Sequence, residues 1–521
     1  MTHIVKVKLS NFKKFKTFEI YLDPRINTLI GDNEAGKSTI LAAIELVLSG
    51  SKSKVESLGV EALLNAGVVA EFLAGNKVIE NLPTLHIELH LSEAGKPELN
   101  GRVNSDGLAN DGLQLIIEPN EDLSAEIQLA IEAEGNNFPF EFYVAKFSTF
   151  SGDAYSGYRK FLRFLSLDST QINSEYANNQ YIRAMYEATV EQPQRYSLQN
   201  EYRLQKNNFR DTKLNVINDD LEDYDFAIRS GSKFNLETDL TLTEEGIPIE
   251  NRGKGKQCFI KTAFALRERE QNKSLDVLLL EEPENHLSHT SMNKLINQIE
   301  KAHNNQVIIA THSSLISSRL DLRKSILLNS SASVPAMLND LTNETSKFFM
   351  KAPNHNILEL VLSEKVILVE GDAEYILMER LYEIVKGHSA SQDGIHIISV
   401  GGTSFKRYME LSKLLNIRTA VIRDNDKDYQ NHCIGNYQDY ITDCIAVYAD
   451  LDNGRYTFEV CMYGDNKVLC DKLFSGGRIQ LDPQEYMLKN KTKAAFNLLE
   501  EQHNDLIVPV YIREAIEWIS A

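Results

Sequence analysis

The chain has 521 residues, 42% hydrophobic and 25% charged, and carries a formal charge of −19 from 74 acidic and 55 basic side chains. At about 150 residues per domain such a length implies two to four globular units, and the acidity excludes a protein coated in base but not a local phosphate-binding patch. No run approaches the roughly 20 apolar residues that cross a bilayer. The start, MTHIVKVKLSNFKKF, lacks the apolar core of a signal peptide. Five cysteines (Cys258, Cys433, Cys444, Cys461, Cys470) form no CxxC pair, which argues against a zinc site or a disulfide framework and makes a reducing, cytoplasmic setting the expectation.

In chain order, IVKVKLSNF and TFEIYLDPRINTLIG read as a β-hairpin running into a glycine-bracketed turn and the helical TILAAIELVL. TLHIELHL, at 84–91, alternates strictly and predicts a half-exposed strand. From 151 to 230 the text turns helical and rich in tyrosine and asparagine, an insertion with no evident chemistry. Strand signals resume at FNLETDLTLTEEGIPIE. A second strand–loop–helix follows in LDVLLLEEPENHLSHTSMNKLINQIEKA, with Met292, Leu295, Ile296 and Ile299 on one helical face, and QVIIATHSS gives another strand. A new unit opens near Leu358: KVILVEGDAEYILMERLYEIVK is strand then helix, and IHIISVGG and IRTAVIRDNDKD are further strands. The alternation predicts an α/β protein with parallel sheets in both parts.

Gly31–Ser38, GDNEAGKS, fits G-x-x-x-x-G-K-[ST] between a strand and a helix. Glycines there let backbone N–H groups face phosphate, and the helix amino terminus adds positive potential. Lys37 is expected on the β- and γ-phosphates and Ser38 on Mg²⁺, with Asn33 and Thr39 also at the nucleotide. VLLLEEP, at 277–283, delivers two acids to the sheet edge: Glu281 for the Mg²⁺ shell and Glu282 to orient or deprotonate the attacking water. Downstream order matters too. GKGKQ (Gly253, Gly255, Gln257) precedes a helix and resembles the signature motif of ABC-type ATPases, with Lys254 in place of the usual serine. His312 in ATHSS stands where the switch histidine does. The ordered set resembles an ABC-type head, whose geometry requires a dimer.

Two carboxyl-terminal strands end in acids: Glu370 in ILVEGDAE, with Glu374 four residues on, and Asp424, Asp426 and Asp428 in VIRDNDKD. Alternate strand residues share a face, so the three aspartates are expected to converge, with divalent metal offsetting their repulsion. Hard oxygen ligands suit Mg²⁺ or Mn²⁺, and two ions suit in-line phosphodiester cleavage. The pattern resembles the TOPRIM domain.

An ABC-type head followed by TOPRIM resembles the OLD (overcoming lysogenization defect) family of endonucleases, through GDNEAGKS, GKGKQ, EEPENHLS, THSS, VEGDAE, SVGGTSF and RDNDKD in that order. The resemblance implies an ATPase head in two parts (1–150 and 231–350), the segment 151–230 as a helical dimerisation region, and a TOPRIM nuclease domain over 358–521. It implies that Glu370, Glu374, Asp424 and Asp426 bind metal, that Glu459 in YTFEVCM is a later acid, and that Lys491 stabilises charge in the transition state, with Lys489 and Lys493 as alternatives. Asp428 falls to an outer role. The implied cofactors are ATP and Mg²⁺ or Mn²⁺, and the implied partners are DNA and a second copy, as a homodimer or higher homo-oligomer. The family includes anti-phage effectors, in Gabija-like systems and beside retron reverse transcriptases, so a separate helicase or a reverse transcriptase with its nucleic acid is a further expectation. The leading reading is a nucleotide-regulated DNA endonuclease. Its alternative is a non-cleaving ATP-gated DNA-binding switch or repair ATPase whose TOPRIM acids recruit a partner.

Overall fold

The computed structural model describes residues 2–133, 137–157, 161–171, 175–219, 224–229, 235–266, 275–301, 305–328, 335–351, 357–402, 404–475, 481–500 and 506–521. Thr403 of SVGGTSF, Phe234 of the predicted strand, and 158–160, 172–174, 220–223 and 230 of the predicted insertion lie outside them. The chain divides into two compact units, Met1–Ser313 with Leu328–Pro335, and Ser314–Leu327 with Ala336–Ala521.

In the first unit β1 (Ile4–Phe12) and β2 (Phe15–Tyr21) form the hairpin, and β3 (Ile26–Gly31) runs into α1 (Lys37–Ser49). β4 (Leu85–Leu91), β5 (Asn110–Pro119) and β6 (Tyr143–Thr149) extend the hairpin into an antiparallel sheet. Strand β4 is buried on both faces, not half-exposed, because β1 and β5 flank it and the segment at 105–106 covers its polar side. There Glu88 accepts from Ser105 N–H at 2.5 Å and Ser105 Oγ at 2.8 Å, while Lys6 and Lys8 hold Asp106 at 2.7 and 2.6 Å. A buried carboxylate needs such partners, and a period-two pattern cannot reveal them.

The segment expected to be an insertion from 151 first supplies a sheet strand, β7 (Phe164–Asp168), and then the helices α2 (Glu175–Thr189) and α3 (Gln192–Phe209). The strand expected across 234–250 is mostly absent. Asn235 and Thr238 cap each other reciprocally, starting a helix turn at Leu236–Asp239 and leaving only the pairing of Thr243–Glu244 with Ile247–Pro248. After α4 (Lys254–Leu266) come β8 (Val277–Glu281), α5 (His289–Lys301) and β9 (Gln306–Thr311). The strands β7, β8, β9 and β3 lie side by side and all parallel, so their carboxyl ends share one edge. Met292, Leu295, Ile296 and Ile299 are the buried face of α5, as the helical spacing predicts.

The second unit has β10 (Lys365–Val369), α6 (Asp372–Lys386), β11 (Ile395–Ser399), α7 (Phe405–Leu415), β12 (Arg418–Ile422), β13 (Ile445–Tyr448), α8 (Phe458–Asp465), α9 (Lys491–Glu500) and α10 (Val510–Ser520). β10 to β13 form a parallel sheet in the order β11-β10-β12-β13. The core beneath them joins Leu377, Leu381, Ala420, Ile422, Phe458, Ala495 and Ile516. Thus α6, α8, α9 and α10 are all packed to the sheet by apolar burial, the dominant favourable term.

Candidate functional site

The first site is built where β3 ends. A Cβ at Gly31 would stand 2.3 Å from Leu328 O, and one at Gly36 would stand 2.4 Å from the Phe15 ring, at a φ of 103° that side chains rarely adopt. The loop between them therefore depends on both glycines. Lys37 opens α1 and is buried, its Nζ donating to Gly31 O at 2.8 Å and Asp32 O at 2.9 Å. Burial lowers its pKa against the raising charges of Glu282 and Asp32. Asn33 is exposed on the loop and Thr39 is half-buried on α1.

Strand β8 brings Glu281 to the same edge, where Ser38 hydrogen-bonds its carboxylate; burial still raises its pKa. Glu282 follows at a φ of 48°, and its carboxyl is pushed up to about 7, first by burial and then by the charge of Glu284. His312 Nε2 lies 3.2 Å from Glu282 Oε1. The residue that sequence reasoning missed is Glu284: its Oε1 accepts from His312 N–H at 3.0 Å and from the Thr311 hydroxyl, tying the end of β9 to the loop after β8. EEPE offered the signal, a third carboxylate in one turn. Lys37, Ser38, Glu281, Glu282 and His312 are thus brought together.

The signature segment behaves differently. Gly255 admits no side chain, since a Cβ would stand 2.1 Å from His286 O, whereas Gly253 faces open space. Gln257 is buried and its Nε2 donates to Arg252 O at 2.8 Å and Glu250 O at 3.3 Å, so it secures the start of its own helix.

The second site lies at the carboxyl ends of β10 and β12. Glu370 directly follows β10, Glu374 lies in the first turn of α6, and Glu459 in the first turn of α8. The expectation that three aspartates converge along one strand is corrected, because β12 stops at Ile422 and the alternation stops with it. Asp424 turns inward, buried, and its Oδ1 accepts from Phe458 N–H at 2.7 Å at the amino end of α8. Asp426, at a φ of 50°, instead takes Arg423 Nη2 at 2.7 Å. Asp428 turns away to accept from Asn431 Nδ2 at 2.7 Å. Of the three candidate lysines, Lys491 reaches the cluster, with Nζ 2.9 Å from Glu459 Oε2; Lys489 and Lys493 are exposed.

Electrostatics mark the buried acids as one group. Burial, then the charges of Glu374, Glu370 and Glu459, push Asp424 up to about 8. Burial, then Glu459 among the neighbouring charges, pushes Glu374 up to about 7. Glu370 is raised by burial and by Asp426 against the charges of Arg423 and Lys491. Burial pulls the Lys491 ammonium down, but its pairing with Glu459 and the nearby Asp424 and Glu374 prevail and raise it. Among the described residues no three such side chains already stand as a ready-made ion cage. The donor set nevertheless fits a hard cation: Glu370 Oε2 and Glu459 Oε1 are buried without a hydrogen-bond partner, while Glu459 Oε2 has the Lys491 ammonium. Such orphaned carboxylate oxygens cost free energy that a cation offsets.

Residues 361–426 match the family "Overcoming lysogenization defect protein-like, TOPRIM domain", and residues 3–235 match the AAA ATPase domain family. Over 472 residues the chain is 23% identical to the Old nuclease of Escherichia phage P2, spanning 81% of this chain and 77% of that one. It is 25% identical to the endonuclease GajA of Bacillus cereus over 181 residues, 34% of this chain and 31% of that protein. The carboxyl-terminal region of the Burkholderia pseudomallei OLD protein aligns with 30% of this chain and 97% of its own at 20% identity and a TM-score of 0.25. Among the described residues no helix is long and apolar enough to cross a membrane.

Proposed function

From an OLD-family chain, an AAA ATPase domain joined to an OLD-like TOPRIM domain, we propose a nucleotide-regulated, divalent-metal-dependent DNA endonuclease that serves anti-phage defence. The nuclease domain is 358–521, and the ATPase head takes 1–150, the strand β7 and 231–350, around a dimerisation region carried by the helices α2 and α3 of the 151–230 segment. The observation that carries the reading is the group of acids from separate elements, Glu374, Asp424 and Glu459 buried and Glu370 half-buried, with Lys491 paired among them. The names of the relatives, a nuclease and an endonuclease, support the same reaction class.

Mg²⁺ or Mn²⁺ bound there supplies charge neutralisation and an activated water. The chain's own part is to hold the carboxylates. Glu370 and Asp424 follow the carboxyl ends of β10 and β12, Asp426 stands beyond them on Arg423, Glu374 and Glu459 come from helix first turns, and the Phe458 N–H fixes the Asp424 carboxylate. Lys491 places an ammonium beside the cluster, where it neutralises the charge that develops on the leaving oxygen. In the head, Lys37 holds the nucleotide phosphates, Ser38 and Glu281 would hold the Mg²⁺ shell, and Glu282, ionised above about pH 7, accepts a proton from water. His312 then reports the γ-phosphate to Glu282.

Pairing of two copies is supported by α3, which has no buried residue and exposes Tyr196, Leu204 and Phe209. A plasmid assay with Mn²⁺, without nucleotide, with ATP or with a non-hydrolysable analogue, tests the proposal. Cutting by the parent and none by Glu370→Ala or Asp424→Asn is expected, and the nucleotide lanes give the sign of the coupling. Equal cutting by parent and variants refutes the assigned site, and a parent that binds DNA but cuts in no lane favours the binding switch.

A further inference from the structure

The second site contains a buried cation that the reading above leaves without a role. Arg423 is 5% exposed, directly after the last residue of β12. A guanidinium cannot shed its charge, so it is buried only where its three nitrogens find acceptors. Here Nε donates to Asp424 O at 2.7 Å, Nη1 to Tyr437 Oη at 2.8 Å and to His432 O at 3.2 Å, and Nη2 to Asp426 Oδ2 at 2.7 Å. The Tyr437 ring lies under the guanidinium, 5.5 Å from centroid to carbon. Arg423 also acts on Glu370, whose carboxyl it stabilises in the charged form. One side chain therefore contacts Asp424 through its backbone and Asp426 through its carboxylate, and faces Glu370 at the end of the neighbouring strand.

We propose that Arg423 is a positioning residue of the metal centre, which presents Asp426 to the cation that Glu370 and Asp424 bind. The inference rests on the nuclease reading and deepens it. Strand alternation has ended at Asp426, the residue sits in the left-handed region at a φ of 50° and its side chain is 48% exposed, so the arginine at 2.7 Å is its close partner, with His432 Nδ1 farther off at 4.0 Å from the same oxygen. The arginine engages one carboxylate oxygen, Oδ2, so the other is available as a ligand. Donors behind a ligating carboxylate orient it and set its basicity, and losing one weakens metal affinity by about 10- to 100-fold. The guanidinium also adds a fixed positive charge among five acids, which lets them be held together before any ion arrives. Tyr437, fully buried behind it, anchors the guanidinium rather than the metal.

The test measures Mn²⁺ binding by calorimetry on the full-length parent, Arg423→Gln, Asp426→Asn, the double variant and Tyr437→Phe, each checked for a parent-like circular dichroism spectrum. Arg423→Gln is expected to weaken Mn²⁺ about tenfold, and Arg423→Lys to recover little because it lacks the fork. In the Asp426→Asn background the same change should do almost nothing, since the arginine acts through that carboxylate. Tyr437→Phe should give a smaller loss in the same direction and keeps the inference testable if Arg423→Gln misfolds. Parent-like Mn²⁺ affinity in folded Arg423→Gln and Tyr437→Phe, or equal losses from Arg423→Gln in both backgrounds, overturns the positioning role while leaving the nuclease reading intact. A parent that takes up no Mn²⁺ overturns both.

Discussion

Removing the charge of Asp424 should stabilise the metal-free protein at alkaline pH, and the reason lies in the crowding of its site. Its carboxyl stands at about 8 against an ordinary 3.8, driven first by burial and then by Glu374, Glu370 and Glu459. A carboxyl raised in the folded state contributes stability that is complete below the unfolded value, near 4, and is lost as the pH climbs through 8. Between pH 5 and pH 8 the unfolded chain has released the proton and the folded one has not, so stability falls by about 1.4 kcal/mol per pH unit for one such group. Glu374, at about 7, adds to the fall over its lower part, in titration steps that belong to the pair. The total is on the order of 4 kcal/mol, or about 10 °C in the melting temperature of a unit this size. Differential scanning calorimetry in EDTA at pH 5, 6, 7 and 8 reads it. The parent's second-unit transition should drop along that series, and Asp424→Asn should drop much less and match or exceed the parent at pH 8. Added Mn²⁺ at about 100 times its Kd should return about 2.7 kcal/mol to the parent at pH 8 and far less at pH 5. A parent curve that is flat or rising in EDTA, with Asp424→Asn parallel to it, would refute the idea that these acids are held together against their own repulsion.

Gly36→Ala places a methyl group 2.4 Å from the Phe15 ring at a positive φ, so nucleotide affinity by fluorescence titration should fall at least tenfold. Glu282→Gln should retain ATP binding and lose about 100-fold in hydrolysis, and the parent's rate should rise from pH 6 to 8 because the ionised form accepts the proton, its carboxyl standing at about 7. Lys491→Met should keep Mn²⁺ within about threefold and lower single-turnover cleavage about 100-fold, whereas Lys489→Met and Lys493→Met should stay near the parent, since Lys491 is the lysine placed 2.9 Å from Glu459.

Motifs that depend on local order were readable without any tertiary information. A phosphate loop is one continuous turn between a strand and a helix, so spelling and context suffice for Gly31, Gly36, Lys37 and Ser38. The strands that end at Glu281 and Glu370 could be read from their apolar runs, because parallel strands buried on both faces spell themselves out in Val, Ile and Leu. The buried face of α5 was legible for the same reason, its period being a property of the helix alone. Family resemblance added Glu459 and Lys491, which no spacing would single out.

Tertiary structure decided which charges meet. Period two assigns Asp424 and Asp426 to one face only while the strand lasts, and β12 ends two residues before the first of them. Burial of Glu88 in β4 depended on Ser105, seventeen residues away in sequence, as the fixing of Asp426 depended on whether Arg423 found Tyr437 behind it. Choosing Lys491 over its neighbours required the start of α9 to come within reach of the first turn of α8. A sequence records the identity and local period of each side chain; the field at a carboxylate is a sum over residues that the chain brings near from far away, and that sum exists only once the fold has formed.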